Sequence, residues 1–348
     1  MADDRKRTMP VPTATTTASS SRVGRLSSLT LTSSKFEPVP IVLEISSTVL
    51  RVGFAGEKSR PQHIIVLEGP IFDCDYCSGD EARSIERKNR TKTESEWYLV
   101  LSPLIAQVYD RLMCKPSTRR VVCMYSNQRY TPLAFRKALC QHLWNRGVPA
   151  LVEIDPLEVL PIVQGWTRGL AVNITREEAY CICHADGYVL PYTYQMVPPG
   201  GYKNWLQSEK RNEINEESMA SLVSAVLSCL QKCPRDLRMS VVSNVVFCGD
   251  GVLVLPDLPR KVMKKVRDIL QCNDNDEERS LGKFPSEDYG CVPLDLANLR
   301  SLASSVALTS CAPYRADWIC WVGASLWAAV WNKYNDEETP IPWMFNSE

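Results

Sequence analysis

Strand-like spacing of apolar residues is clearest in two stretches of the chain. Residues 41–56 have two apolar runs separated by small hydroxyl residues and closed by Gly-Phe-Ala-Gly, which predicts a β hairpin with a tight polar tip. Residues 170–191 have three apolar runs, and Asp186-Gly187 predicts the tight turn between the last two. Amides and hydroxyls at such tips can form an anion-binding nest. A plain core hairpin has the same pattern, so both interpretations stay open.

Helical spacing and buried-strand patterns alternate through the rest of the chain. Residues 97–114 predict an amphipathic helix, and residues 121–125 predict a buried parallel strand. Thr131 and Pro132 then predict the N-cap and first residue of a helix that Gly147 closes. Strand–turn–helix successions predict an α/β protein, and the length favours two domains. A further strand is predicted over residues 62–67, and helices over residues 155–164, 216–231, 258–271 and 318–334.

Composition and charge narrow the classes of function. The 348 residues contain 40 Lys and Arg and 40 Asp and Glu, so no overall basic excess favours nucleic acid or an anionic membrane as partner. No apolar run approaches the roughly 20 residues of a membrane span, and the polar N-terminus has no secretory signal. The Ser/Thr-rich residues 1–37 predict a disordered tail, and the charged residues 68–96 a solvated lobe.

Two surface features depend on context that the sequence does not supply. Residues 258–271 place basic residues opposite an apolar helix face, which indicates either a solvated face or a docking surface for an acidic neighbour. Residues 340–348 are unusually apolar and predict docking on the first lobe or on a partner.

The 14 cysteines mostly lie inside apolar runs, as small hydrophobes do in a reducing compartment. Cys74 and Cys77 have metal-like spacing, and Cys229 and Cys233 share one helix face. A zinc site needs a second pair with matching spacing, which the sequence lacks. We therefore predict no metal centre.

The first hairpin resembles the first phosphate-binding loop of the actin family. In that family an Asp opens the motif, a Gly/Ser turn and a Lys follow, and Gly-Phe-Ala-Gly ends it. This chain keeps the ending at residues 53–56. It has Glu44 at the Asp position, Ser46 at a Gly position, Ser47 at the Ser position and Arg51 at the Lys position. The resemblance therefore keeps the frame of the motif and alters its chemistry.

The second hairpin resembles the family's second phosphate loop, Asp-x-Gly-Asp-Gly. Its four defined positions hold Asn173, Thr175, Arg176 and Glu177. In the family the two Asp residues hold a hydrated magnesium ion, and divalent cations prefer carboxylate oxygens. Asn173 is a weaker ligand, whereas Arg176 would repel the metal and could contact a phosphate directly. Thr175 and Glu177 add Cβ atoms where glycines let backbone approach phosphate. The resemblance thus implies no magnesium site and no ATP hydrolysis.

A third motif concerns the attacking water. In actin, the helix matched by residues 155–164 carries a Gln that orients this water. That position here is Pro156, which has no side-chain donor or acceptor. Asp155 and Glu158 stay open as replacements.

Two further motifs follow in the family order. Residues 243–256 resemble the adenosine motif, with Gly249 and Gly251 at its glycine turn. The last motif, Trp-x-Gly-Gly-Ser before a helix, is matched by Trp321, Gly323, Ala324 and Ser325. Small residues there predict close helix packing beneath the cleft.

The resemblance covers roughly residues 40–345 and implies an α/β, two-lobed, actin-like fold of the actin/sugar kinase/Hsp70 superfamily. Residues 39–165 plus 322–348 would form subdomains 1 and 2, after a disordered tail over residues 1–38. Residues 166–321 would form subdomain 3 with a strongly reduced fourth subdomain, because the segment before the adenosine motif is far shorter than in actin.

A degenerate site and a reduced fourth subdomain imply a non-catalytic subunit that caps the pointed end of the actin-related filament in dynactin. The implied partners are the filament-forming actin-related protein (centractin), actin, the other pointed-end subunits and, indirectly, dynein, in the cytoplasm and cytoskeleton. No cofactor is implied, and static ATP stays open. The alternatives are an actin-like ATPase and an actin-related subunit of a chromatin remodeller. The implied site residues are Glu44, Ser46, Ser47, Arg51, Asn173, Arg176, Gly249 and Gly251.

Overall fold

The computed structural model describes residues 38–68, 71, 92–126, 131–176, 178–197, 216–271, 296–331 and 344–345, all within one compact unit, Pro38–Glu348. They form a mixed α/β protein with two mixed sheets, which confirms the predicted class. The predictions for the N-terminal tail, most of the charged lobe, Cys74 and Cys77 lie outside the described residues. None of the helices in these ranges is long and apolar enough to cross a membrane.

The first sheet contains the predicted hairpin. Strand β1 pairs antiparallel with β2, and β2 pairs antiparallel with β3. Strand β4 lies parallel to β1, and β5 lies parallel to β4, so the predicted parallel strand is confirmed. The strands, in the sheet order β12-β5-β4-β1-β2-β3, are β1 (Ile41–Ile45), β2 (Val49–Phe54), β3 (His63–Val66), β4 (Val121–Tyr125), β5 (Ala150–Ile154) and β12 (Met344–Phe345).

The second sheet repeats this connectivity. Strand β6 pairs antiparallel with β7, β7 pairs antiparallel with β8, and β10 and β11 extend the sheet in parallel from β6. Each sheet therefore begins with an antiparallel meander. One later strand, β4 or β10, then lies parallel beside the first strand, and another, β5 or β11, lies parallel beside that one. The strands are β6 (Gly169–Ile174), β7 (Ala179–Ala185), β8 (Tyr188–Val189), β9 (Gln195–Met196, paired with β7), β10 (Val245–Cys248) and β11 (Leu308–Thr309).

The helices form three layers around the two sheets. Helices α1 and α2 cover the outer face of the first sheet, and helices α4, α5 and α7 cover the outer face of the second. Together these outer layers bury most of the apolar core. Helices α3 and α8 lie between the inner faces of both sheets. The helices are α1 (Glu94–Leu112), α2 (Leu133–Asn145), α3 (Leu160–Gln164), α4 (Glu216–Lys232), α5 (Arg235–Val242), α6 (Gly251–Val254), α7 (Leu258–Gln271) and α8 (Ile319–Trp331).

Because both faces of each sheet are covered, alternate strand residues are buried on opposite sides. In β6, Leu170 and Val172 pack outward, whereas Ala171 packs inward. The same alternation turns Glu44, Arg51 and Asn173 toward the space between the sheets. The pattern of residues 258–271 is confirmed as well, since the apolar side of α7 is buried on the second sheet.

Three helix starts differ from the prediction. Helix α1 begins at Glu94, before the predicted residue 97, because Thr93 and Glu96 form a capping box there. Helix α2 begins at Leu133 with Pro132 at its N-cap position and no capping side chain, so Thr131 is not the N-cap. Helix α3 begins only at Leu160, because the Asp155 carboxylate accepts the Leu157 N–H at 2.8 Å and holds a turn instead.

The predicted chain reversals are confirmed. Gly147 and Gly165 have φ values of 82° and 65° just after their helices. Asp186 and Gly187 have φ values of 53° and 84° in the tight turn between β7 and β8. The C-terminal pair Met344–Phe345 adds antiparallel to β5, so this segment docks on the first sheet.

Candidate functional site

One cleft opens where the carboxyl ends of β1, β4, β6 and β10 meet, the edge of α/β sheets at which ligands usually bind. Its walls enclose about 740 Å³, including the space open to solvent at the mouth. Seven of the eight predicted site residues line it, and Gly251, buried in the first turn of α6, does not. The lining residues from the predicted set are Glu44, Ser46, Ser47, Arg51, Asn173, Arg176 and Gly249.

Glu44 and Arg51 form a buried ion pair at the base of the first hairpin. They are direct cross-strand neighbours on β1 and β2. Arg51 Nη1 donates to Glu44 Oε1 at 2.8 Å, and the two residues are only 8% and 6% exposed. Glu44 Oε2 and Arg51 Nε have no hydrogen-bond partner within the described residues. The pair is therefore tight but incompletely satisfied.

Burial is the largest influence on the pKa of both members of this pair, and each also responds to its partner and to two nearby acids. Burial raises the pKa of Glu44, and Arg51 lowers it by less, while Asp317 and Asp250 on the opposite wall raise it further. Burial alone would lower the pKa of Arg51, but attraction to Glu44, Asp317 and Asp250 raises it overall. The guanidinium thus stays charged, and its charge is already compensated by the protein's own carboxylates.

The tips of the two hairpins are closed in the same way by a hydroxyl. Ser46 Oγ donates to Val49 O at 2.9 Å and accepts the Val49 N–H at 3.0 Å. Thr175 Oγ1 donates to Glu178 O at 3.0 Å and accepts the Glu178 N–H at 3.1 Å. A tip amide that is bonded to its own turn is not available to an anion. The two hairpins therefore match in local structure. In each, a backbone N–H that a phosphate-binding loop would leave free for phosphate is bonded within the turn.

Asn173 joins the second sheet to the first across the cleft floor. Its Nδ2 donates to Tyr180 OH at 3.0 Å and to Ser126 O at 3.4 Å. Tyr180 OH donates to the same Ser126 carbonyl at 2.9 Å, and Cys248 Sγ lies 3.7 Å from Asn173 Oδ1. Asn173 is 4% exposed, so its amide is used within the protein. Arg176, by contrast, is exposed at the hairpin tip and lines the cleft.

Gly249 is required by packing against β6. It has a φ of 93°, and a Cβ there would lie 2.2 Å from Ile174 O and 2.6 Å from Asn173 Oδ1. The turn before α6 therefore lies directly against the Ile174 backbone and the Asn173 side chain. This contact explains a glycine at the predicted motif without a ligand.

The third motif consists of Pro156 and the two acids beside it. Pro156 lines the cleft, whereas neither Asp155 nor Glu158 does. Asp155 is used in its own turn, and Glu158 is exposed. The replacement of the water-orienting Gln by Asp155 or Glu158 stays an open alternative, since Asp155 still influences the pKa values of Cys320 and Tyr180 at the cleft.

The first and last motifs meet beneath the cleft. A Cβ on Gly53 would lie 2.9 Å from Trp321 Cζ2, and the Gly56 N–H donates to Ser325 O at 3.0 Å. A Cβ on Gly323 would lie 2.7 Å from Val159 O. The predicted close packing of small residues at α8 is confirmed.

Sequence reasoning missed several lining residues because they lie outside any motif. Ser126 and Thr131 flank undescribed residues, and Asp317 lies just before α8. Cys320 also lines the cleft, and contact with the Cys248 thiol together with burial raises its pKa well above 9.0. For Tyr180, which bonds Asn173 at the cleft floor, the available signal was alternation, because this residue falls on the inward face of its strand.

Within the described residues, no group of three or more His, Cys, Asp or Glu side chains could hold a metal ion. Cys183 Sγ and Cys229 Sγ lie 3.4 Å apart, behind the second sheet. No protein-family model matches the chain, and no curated protein is significantly similar to it.

Proposed function

We propose that this chain is an actin-like protein without catalytic activity, which ends the actin-related filament of dynactin at the pointed end. The observation that carries the non-catalytic part is the internal use of the cleft's polar groups. Asn173 is bonded to Tyr180 and Ser126, and Arg51 is neutralised by Glu44. These residues occupy the positions at which the family binds phosphate and magnesium.

The duplicated architecture supports the actin-like part of the proposal. The resemblance implied two phosphate-loop hairpins that face one cleft. The structure has two sheets with one connectivity, and the tips of β1–β2 and β6–β7 line the same cleft. The contacts from Gly53 to Trp321 and from Gly56 to Ser325 link the first and last family motifs.

The capping role rests on a physical argument about filaments. A head-to-tail filament grows only if each subunit has two complementary faces, so a subunit with one face ends it. The shortened segment before β10 and the charged residues 68–96 would both remove contacts at the pointed end. Residues 119–165 resemble actin-related protein 10 (also called 11), the pointed-end actin-related subunit of dynactin. The other pointed-end subunits would then dock on this chain and support dynein-driven transport in the cytoplasm.

The test is purification of the tagged full chain from cytosol by size, with mass spectrometry of its partners and extraction of bound nucleotide from the same sample. Recovery of centractin, actin and pointed-end subunits, with no nucleotide or only unhydrolysed ATP, would support the proposal. Recovery of a chromatin-remodelling complex, or of a chain that hydrolyses ATP by itself, would overturn it and favour one of the two alternatives.

A further inference from the structure

Helix α7 has a basic outer face whose charges are only partly used by the protein. Its apolar side packs into the core of the second sheet, so the helix is fixed in place. Lys265 Nζ lies 3.3 Å from Glu216 Oε2, and Arg267 Nη2 donates to Val306 O at 2.7 Å. These two residues are therefore engaged locally.

Three cations on the same face are exposed: Arg260, Lys261 and Lys264. None of them makes an ion pair or side-chain hydrogen bond with any residue in the described ranges. Lys264 follows Arg260 by four positions and Lys261 by three, so the three side chains project from adjacent turns of one face. Asp257 and Asp268, in the same described part of the chain, are also exposed within one turn of these cations but form no ion pair with them. Because the chain has zero net charge, the three cations are a local feature and not part of a general basic excess.

Two exposed aliphatic residues precede this helix in the chain. Leu253 and Val254 in α6 are 43% and 44% exposed, and only a short turn separates them from α7. We define the α7 patch as Leu253, Val254, Arg260, Lys261 and Lys264. It combines a fixed row of cations with two exposed aliphatic side chains.

We propose that the α7 patch binds an acidic amphipathic helix of a partner protein. Carboxylates three or four residues apart on such a helix match the spacing of the three cations, and its aliphatic residues would cover Leu253 and Val254. A membrane fits less well, because the apolar face of α7 that would insert is already buried in the core. Nucleic acid fits less well too, because few free cations are present and the surrounding chain is neutral.

The proposal does not depend on the capping role. A chain that failed to join a filament would still present the same patch, and a capping subunit could lack this partner. The two proposals therefore fail separately: one in the partners recovered from cytosol, the other in a binding assay with purified components.

The experiment measures binding of the purified full chain to a fluorescent synthetic helix of about 20 residues, with Glu at every third or fourth position and Leu on one side. A scrambled peptide of the same composition, anionic phosphatidylserine vesicles and duplex DNA are the comparison probes. The test variant is Lys261→Glu with Lys264→Glu, and Lys261→Gln with Lys264→Gln repeats the test without charge reversal. The matched control is Lys58→Glu with Lys115→Glu, which changes the same charge at two exposed lysines on the first lobe.

We expect the test variant to weaken binding of the helical peptide by about tenfold or more, and the control by less than about twofold. Binding should also weaken as salt rises from about 50 to about 200 mM. Equal loss in both double variants, equal affinity for the scrambled peptide, or binding to vesicles or DNA alone would overturn the proposal.

Discussion

The buried pair between Glu44 and Arg51 makes a prediction that separates its electrostatic cost from its role in the cleft. Replacement of Arg51 by Met leaves the Glu44 carboxylate buried without a partner, and replacement of Glu44 by Leu leaves the guanidinium in the same position. Removal of one partner from a buried pair costs about 3–5 kcal/mol of unfolding free energy. We expect each single variant to lose stability in this range.

The double variant, Glu44→Leu with Arg51→Met, should recover most of that loss. At 2.8 Å the attraction between the charges is about 6 kcal/mol at an effective dielectric constant of about 20. Desolvation costs several kcal/mol for each ion, so the pair contributes little net stability. The raised pKa of Glu44 has the same cause, because burial outweighs the attraction of Arg51. The double variant should therefore lie within about 1 kcal/mol of the natural protein, or above it.

The assay is urea unfolding followed by tryptophan fluorescence, which the nine Trp residues of the chain make practicable. The control is Glu94→Gln, which breaks an exposed pair with Lys137 and should cost less than about 1 kcal/mol. If each single variant at the buried pair costs as little as this control, or if the double variant costs the sum of the singles, the reasoning about this pair is wrong.

Three further predictions concern the cleft and the core beside it. Tyr180→Phe should lower the free energy of unfolding by about 1–3 kcal/mol, because it removes the hydroxyl that bonds both Asn173 and Ser126 at the cleft floor. Tyr188, on the same sheet, is 77% exposed, so Tyr188→Phe should lower it by less than about 0.5 kcal/mol. Equal losses in urea unfolding would contradict this prediction. Burial lowers the pKa of His184 from 6.5 to about 4. The neutral imidazole therefore contributes about 3 kcal/mol to the free energy of unfolding above pH 6.5, and this contribution is lost as pH falls through about 4. His184→Gln should flatten this part of the stability–pH curve, and an unchanged slope would exclude His184 as its source. Gly249→Ala should cost several kcal/mol more than Gly187→Ala, because both positions have positive φ but only the first is crowded; similar thermal midpoints would show that crowding is relieved.

Much of the fold could be predicted from local patterns, because the apolar residues that produce the periodicity are also the residues buried in the core. The hairpin at residues 41–56, the turn at Asp186 and Gly187, and helix α7 all form where periodicity and turn residues agree. The helix starts were less predictable, because Asp155 and Pro132 satisfy or restrict the backbone in ways that periodicity does not register.

The sequence predicted which motif residues line the cleft, but not how the cleft residues hydrogen-bond to one another. The motif positions of both hairpins do line one cavity, since connectivity brings the two tips together. The link from Asn173 through Tyr180 to the Ser126 carbonyl depends on how two inner sheet faces meet, which no single stretch of sequence encodes. The same holds for Asp317, which approaches Glu44 and Arg51 only after α8 has packed between the sheets.

The position of α8 has a consequence for biosynthesis. This helix covers the inner faces of both sheets, yet residues 319–331 leave the ribosome after all the described strands except β12. At about 5–20 residues per second, inner-face residues such as Val42 and Ile182 would wait several seconds or more for their cover. A nascent chain stalled before residue 319 should therefore be a better client for a hydrophobic-binding chaperone than one stalled beyond the end of α8.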